Sequence, residues 1–213
     1  MKLILLSDTH CQTDKVEIPY GDVLIHCGDF SFRGDSGEIW DFAEWLKEQP
    51  HKYKLWIPGN HELGLEDFPY NTKIIDHYAG SICLHNKEHS IDGIKFFGSA
   101  WTPEFNNWAF NHNKEQAKRY WAYAPDEIDV LITHGPPLGF LDNSDINNRL
   151  GCKSLLNYTK RVQPKVHAFG HIHGGYGHIT HRWENTGAYT QFLNVSQLDE
   201  RYKRVNKPVV VEI

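Results

Sequence analysis

The chain has 213 residues, 40% of them hydrophobic and 13% aromatic, and carries a formal net charge of −5. That length supports one sizeable core and the composition is that of a globular protein, so a single domain over residues 1–213 is expected, ordered except at the extreme C-terminus. An acidic balance with no block of Lys and Arg excludes a broad track for extended nucleic acid, and no run nears the roughly 18 apolar residues of a membrane helix.

In chain order, residues 1–6 combine one basic residue with an apolar run, as a signal peptide does, but Ser7 and Asp8 end that run too early for an h-region. The cytoplasm is the expected compartment, and no membrane partner is expected. Cys11, Cys27, Cys83 and Cys152 are far apart with no Cys-x-x-Cys pair, and are read as free thiols. Residues 2–6, 23–27 and 54–57 predict short buried strands, each too brief for a helix and each running into Gly, Asp or Asn. Between the second and third, Ile39, Phe42, Ala43 and Leu46 mark one helical face, opened by a capping box of Asp35 and Glu38 and closed by Pro50.

Residues 88–91 and 94–98 flank Asp92-Gly93, a strong two-residue hairpin signal. A second helix has Asn113 as its cap and Ala117, Tyr120, Trp121 and Ala124 at helical spacing, and stops at Pro125. A third carries Cys152, Leu155, Leu156 and Thr159 and stops before Pro164. Residues 128–133, 166–169, 179–183, 190–194 and 208–213 predict further strands. The fold class expected is α/β, with two packed mixed β-sheets flanked by helices.

Five short polar strings stand out, most of them directly after a predicted strand: Ser7-Asp8-Thr9-His10, Gly28-Asp29, Gly59-Asn60-His61-Glu62, Thr133-His134-Gly135 and Gly170-His171-Ile172-His173. Asp8 and His10, like His171 and His173, are two apart and can chelate one ion from an extended segment. Asn60 offers a neutral hard-oxygen ligand. Singly, Asp-x-His occurs in solvated loops, Gly-Asp in ordinary turns and Gly-Asn in Asx-turns. Five such strings in one chain, each bringing His, Asp or Asn to a strand end, are not explained by coincidence.

In these strings the chain resembles the calcineurin-like metallophosphoesterase superfamily, whose signature is Asp-x-His, Gly-Asp, Gly-Asn-His-Asp/Glu, a lone His and Gly-His-x-His, with every position filled. The resemblance implies a four-layer α/β/β/α sandwich. It implies two divalent ions (manganese, iron or zinc, manganese the first choice), one held by Asp8, His10 and His173 and the other by Asn60, His134 and His171, with Asp29 bridging. In such centres, with ions roughly 3.5 to 4 Å apart, a metal-bound hydroxide attacks phosphorus in line. Family analogy makes His61 the residue on the leaving-group side rather than a ligand, with Glu62 or a nearby carboxylate orienting it. Nine of the fourteen histidines, His26 and His167 among them, receive no role.

Further stretches, including Trp101-Thr102-Pro103, residues 105–110 and 133–140, and Gly174-Gly175-Tyr176-Gly177, resemble the small single-domain group that includes the brain-expressed metallophosphoesterase-domain proteins of animals. Some of those have Gly where this chain has His171. The group implies phosphodiester hydrolysis, including cyclic nucleotides, of a small phosphoester that Asn60, His61, Trp101, Phe105 and Gly174 would contact. The aromatic stretch 101–110 either stacks a base or belongs to the core. Three functions follow: a phosphodiesterase first, a phosphomonoesterase or protein phosphatase second, and a nucleotide-binding regulatory module with little turnover third. No particular oligomeric state is implied.

Charge explains the ligand set. Two dications bring four positive charges, Asp8 and Asp29 remove two, and imidazoles and the Asn60 amide remove none, which leaves a net attraction for phosphate. Asn60→Asp should therefore retain metal, measured by elemental analysis, but lose turnover; full activity in this variant would contradict the charge argument.

Overall fold

The computed structural model describes residues 1–144 and 148–213. Its first half supplies β1 (Lys2–Leu6), β2 (Val23–His26), helix α1 (Ser36–Glu48), β3 (Tyr53–Trp56), α2 (Leu63–Asp67), α3 (Asn71–Ala79) and β4 (Ile82–Cys83). Strands β1 to β4 lie side by side in that order, all parallel. Their near-continuous apolar sequences suit a parallel sheet buried on both faces.

The next segments are β5 (Lys87–Ile91) and β6 (Ile94–Ser99), joined at Asp92-Gly93, where both residues have positive φ as a two-residue hairpin turn requires. Then follow β7 (Thr102–Pro103), β8 (Asn111–His112), α4 (Lys114–Tyr123), β9 (Val130–Thr133), α5 (Lys153–Val162), β10 (Val166–Phe169), β11 (Gly177–Arg182), β12 (Tyr189–Asn194) and β13 (Val209–Glu212). The second sheet has the order β11-β12-β10-β9-β6-β5, and β13 returns to the first sheet as the antiparallel neighbour of β1.

Side-chain alternation along β1 separates the layers. Leu3 and Leu5 face the second sheet and pack with Ile25, Phe96, Val130, Ile132 and Ala168. Ile4 and Leu6 face the opposite way and pack with Phe42, Ala43 and Leu46 of α1 and with Ile75 and Ala79 of α3. On the far side, Phe97 and Leu131 pack under Ala117 and Trp121 of α4 and Leu155 and Tyr158 of α5. The expected α/β/β/α sandwich of mixed sheets is therefore the observed one.

Several elements depart from expectation. Strand ends shift, so 54–57 is Tyr53–Trp56 and 128–133 begins at Val130. Helix α3 has no counterpart in the sequence pattern because Tyr70 at its N-cap makes no side-chain capping bond and only Ile75 and Ala79 are buried. Its anchor is polar: Asp76 accepts from Trp56 Nε1 at 2.8 Å and from the Cys83 N–H at 3.0 Å. The strand expected over 208–213 forms as Val209–Glu212 and pairs with β1 from Lys2↔Glu212 to Leu5↔Val209, so order reaches almost to the last residue. No helix among the described residues is long and apolar enough to cross a membrane.

The capping box at α1 forms as read: Asp35 Oδ1 accepts from the Gly37 and Glu38 N–H groups, both at 3.0 Å, and Glu38 reaches back to the Asp35 N–H. Asp35→Ala should lower the unfolding free energy by about 1 kcal/mol. Urea titration followed by circular dichroism measures it, and an unchanged midpoint would contradict the cap's role.

Candidate metal centre

Parallel pairing directs the carboxyl ends of β1, β2 and β3 in one sheet, and of β9 and β10 in the other, to a common edge. The sheets are tied there by the bridge between Ser7 and Ser196. All five polar strings sit on the loops leaving those ends. Close approach explains two of their glycines: a Cβ on Gly59 would lie 2.3 Å from Asp29 Oδ1, and one on Gly170 would lie 2.0 Å from Asp8 Oδ2. Asp8, His10, Asp29 and His171 all have φ between 38° and 68°, a region costly for residues other than glycine and found mostly where surrounding contacts hold it.

Two ligand groups result. Donor atoms of Asp8, His10 and His173 lie within 4.8 Å of one another, and so do those of Asp29, His134 and His171. Asn60 joins the second group, its Oδ1 2.9 Å from His134 Nε2. Asp29 reaches from the second group toward the first, its Oδ2 lying 3.2 Å from His134 Nε2 and 3.9 Å from His10 Nε2. His61 Nε2 lies 4.0 Å from the same oxygen and forms a third close group with His10 and Asp29.

The ring orientations are set from behind. His10, His134 and His173 each place Nδ1 at 2.9 Å from a backbone carbonyl, those of Ser31, Cys27 and Asp199 respectively. A carbonyl only accepts, so each Nδ1 carries the proton and each Nε2 faces the centre, as metal-ligating histidines require. His10 Nε2 is buried and has no hydrogen-bond partner among the described residues. An orphaned imidazole nitrogen beside two buried carboxylates fits a divalent cation, and the mixed nitrogen and oxygen donors suit transition ions.

Electrostatics agree. Burial alone would raise Asp8, but the hydrogen bond and charge of His173 outweigh it and hold the carboxyl well below the usual range. Asp29 is held down against burial in the same way by His134. Conversely, burial would lower His134 and His173, yet Asp29 and Asp8 push them up to about 9. His10 and His171 are lowered to about 4, first by burial.

The remaining expected residues are distributed unevenly. A cavity of about 370 Å³ opens over the centre and is lined by Asn60, His61 and Phe105 among others. Trp101 points elsewhere, with its ring stacked on His112 at 3.8 Å, so within 101–110 the aromatic residues nearest the centre are Phe105, which lines the cavity, and Trp108, which lies against His61. Gly174 donates its N–H to Glu200 Oε1 at 2.9 Å. Glu62 does not orient His61, whose Nδ1 bonds the Phe32 carbonyl at 2.7 Å. Instead the buried Glu62 carboxylate accepts from the N–H groups of Gly59, Asp29 and Ser31 and from Ser31 Oγ, binding two ligand loops together.

Trp108, part of the aromatic stretch 101–110, stacks on His61 at 4.2 Å, whereas Tyr202, edge-on to His10 at 4.8 Å, carries no signal in the sequence pattern. Nor do two matching pairs: His26 Nε2 lies 3.0 Å from Thr9 Oγ1, and His167 Nε2 lies 2.9 Å from Thr133 Oγ1. Burial lowers both imidazoles to about 3, so they sit neutral behind the ligand loops. Thr9 and Thr133 each adjoin a ligand, a position that could have drawn attention to them.

Because His134 and His173 hold protons up to about 9 in the metal-free protein, an incoming ion must displace them. Calorimetric titration with Mn²⁺ near neutral pH should show release of about two protons, read from heats in buffers of different ionisation enthalpy. Affinity should rise with pH until those histidines have titrated. Buffer-independent heats would contradict this.

The family model for calcineurin-like phosphoesterase matches residues 1–175. The whole chain is 39% identical to Metallophosphoesterase domain-containing protein 1 of Homo sapiens, covering 71% of it, and equally so to the Mus musculus protein of that name. One solved structure aligns with a TM-score of 0.68 at 16% identity, covering 99% of this chain and 98% of its own. The protein TT1561 of Thermus thermophilus aligns with a TM-score of 0.60 at 12% identity over the same shares; both show the fold alone. With its model spanning most of the sequence and relatives this similar along all of it, the chain belongs to the calcineurin-like phosphoesterase family of metal-dependent phosphoester hydrolases.

Proposed function

We propose that the protein is a cytoplasmic phosphodiesterase for small, nucleotide-like or cyclic-nucleotide diesters, using two divalent ions with manganese as first choice. One observation carries the reading: the cavity over the ligand set has aromatic and aliphatic walls and, among the described residues, no Lys or Arg in its lining. The two positive charges left on a loaded centre must meet the phosphate unaided, and a polyphosphate group, with more charge than that, finds no Lys or Arg there. Apolar walls suit the organic arms of a diester.

Asp8, His10 and His173 would hold one ion and Asn60, His134 and His171 the other, with Asp29 Oδ2 between them. When bound, the ions supply a nucleophile at neutral pH and positive charge for the phosphate oxygens. The chain supplies orientation and the proton. His61 is fixed by its bond to the Phe32 carbonyl and by Trp108 against its face, leaving Nε2 as the ring atom able to protonate a departing oxygen. Asp29 Oδ1 accepts the His61 N–H at 2.8 Å, so the bridging carboxylate and the acid are held in one register. The edge of Tyr202 covers the outer side of His10 and His173.

The test is a panel with added Mn²⁺: bis(p-nitrophenyl) phosphate, p-nitrophenyl phosphate, and 2′,3′- and 3′,5′-cyclic nucleotides. Diester cleavage should exceed monoester cleavage in kcat/KM. Faster monoester cleavage would favour a phosphomonoesterase, and nucleotide binding without turnover would favour a regulatory module.

A further inference from the structure

Two carboxylates share the cavity with the catalytic residues. Glu104 is exposed on the turn between β7 and β8, and Glu200 comes from the segment between β12 and β13. Glu200 is anchored, because its Oε1 accepts the N–H of Gly174, the residue after His173. No Lys or Arg among the described lining residues offsets their charge. Arg149, next to the lining residue Leu150, has its guanidinium engaged 3.1 Å from Asp142.

We propose that Glu104 and Glu200 are specificity-determining residues that bias the site toward singly charged phosphoesters by repelling a second phosphate charge. This rests on the phosphoesterase reading of the site. Against a diester the two carboxylates oppose only the charge that the metal centre neutralises, and they can accept hydrogen bonds from hydroxyl or amine groups on its organic arm. Against a monoester dianion they repel twice the charge, with no Lys or Arg of the described lining to offset them. Across a solvent-open cavity, each such interaction is worth about a few-fold and is screened by salt. The preferred substrate class is then a monoanionic diester whose arm carries hydrogen-bond donors.

The test compares wild type, Glu104→Gln, Glu200→Gln and the double variant, all loaded with Mn²⁺, on bis(p-nitrophenyl) phosphate and p-nitrophenyl phosphate at mildly alkaline pH. Both esters release the same leaving group and differ in charge. Glutamine keeps the acceptor that Gly174 needs. The ratio of diester to monoester kcat/KM should fall about tenfold in the double variant. Calorimetry should show inorganic phosphate binding more tightly to that variant, with dimethyl phosphate little affected. Added salt should shrink wild-type discrimination more than that of the double variant, a response that mere loop support would not produce. A ratio within about twofold of wild type would overturn the proposal. A wild-type preference for the monoester would instead sink the phosphodiesterase reading, while the shift on neutralisation would still report on the two glutamates.

Discussion

Asp8 and Asp29 lie buried at the seam where the two sheets meet, and a buried carboxylate without a partner costs several kcal/mol. Neither can leave, since Asp8 accepts the His171 N–H and the Ser196 hydroxyl, and Asp29 accepts the His61 N–H. Their charge must be met locally. His134 and His173, both pushed up to about 9 by these carboxylates, meet it as imidazolium, and the same residues would hold divalent ions, whose charge would then replace the protons. The glycines that admit these carboxylates, the positive φ of Asp8, His10, Asp29 and His171, and the carbonyls behind the rings of His10, His134 and His173 all serve that one requirement.

Contacts behind the ligands keep the loops from relaxing. Glu62 gathers N–H groups from the loops after β2 and β3, while Thr9 with His26 and Thr133 with His167 brace one ligand loop in each sheet. The likeness of those two pairs means that each sheet supports its share of the centre by the same device: a neutral buried imidazole against a threonine hydroxyl. Such support lets non-glycine residues persist in left-handed backbone at the site.

The candidate ligand set is legible in the sequence because each of its residues lies just after or at the end of a short apolar run, and parallel strands bring such ends together whatever their separation in the chain. The caps of α1 and α4 are legible for an equally local reason, with Asp35 and Asn113 each three residues before a Glu or Gln. What is not legible depends on distant contacts. Trp101 and Trp108 look alike in sequence, and only the small β7–β8 pairing turns one toward His112 and the other onto His61. Glu62 follows His61 yet turns to backbone N–H groups rather than to that ring. Tyr202 and Glu200 reach the cavity from a segment with no motif at all.

Anomalous diffraction from crystals grown with Mn²⁺ would show directly whether these buried carboxylates and imidazoles hold a pair of ions. Two peaks are expected, one among Asp8, His10 and His173 and the other among Asn60, His134 and His171, with Asp29 Oδ2 between them. A single peak, or density bound elsewhere while His10 Nε2 stays unligated, would refute the two-ion centre.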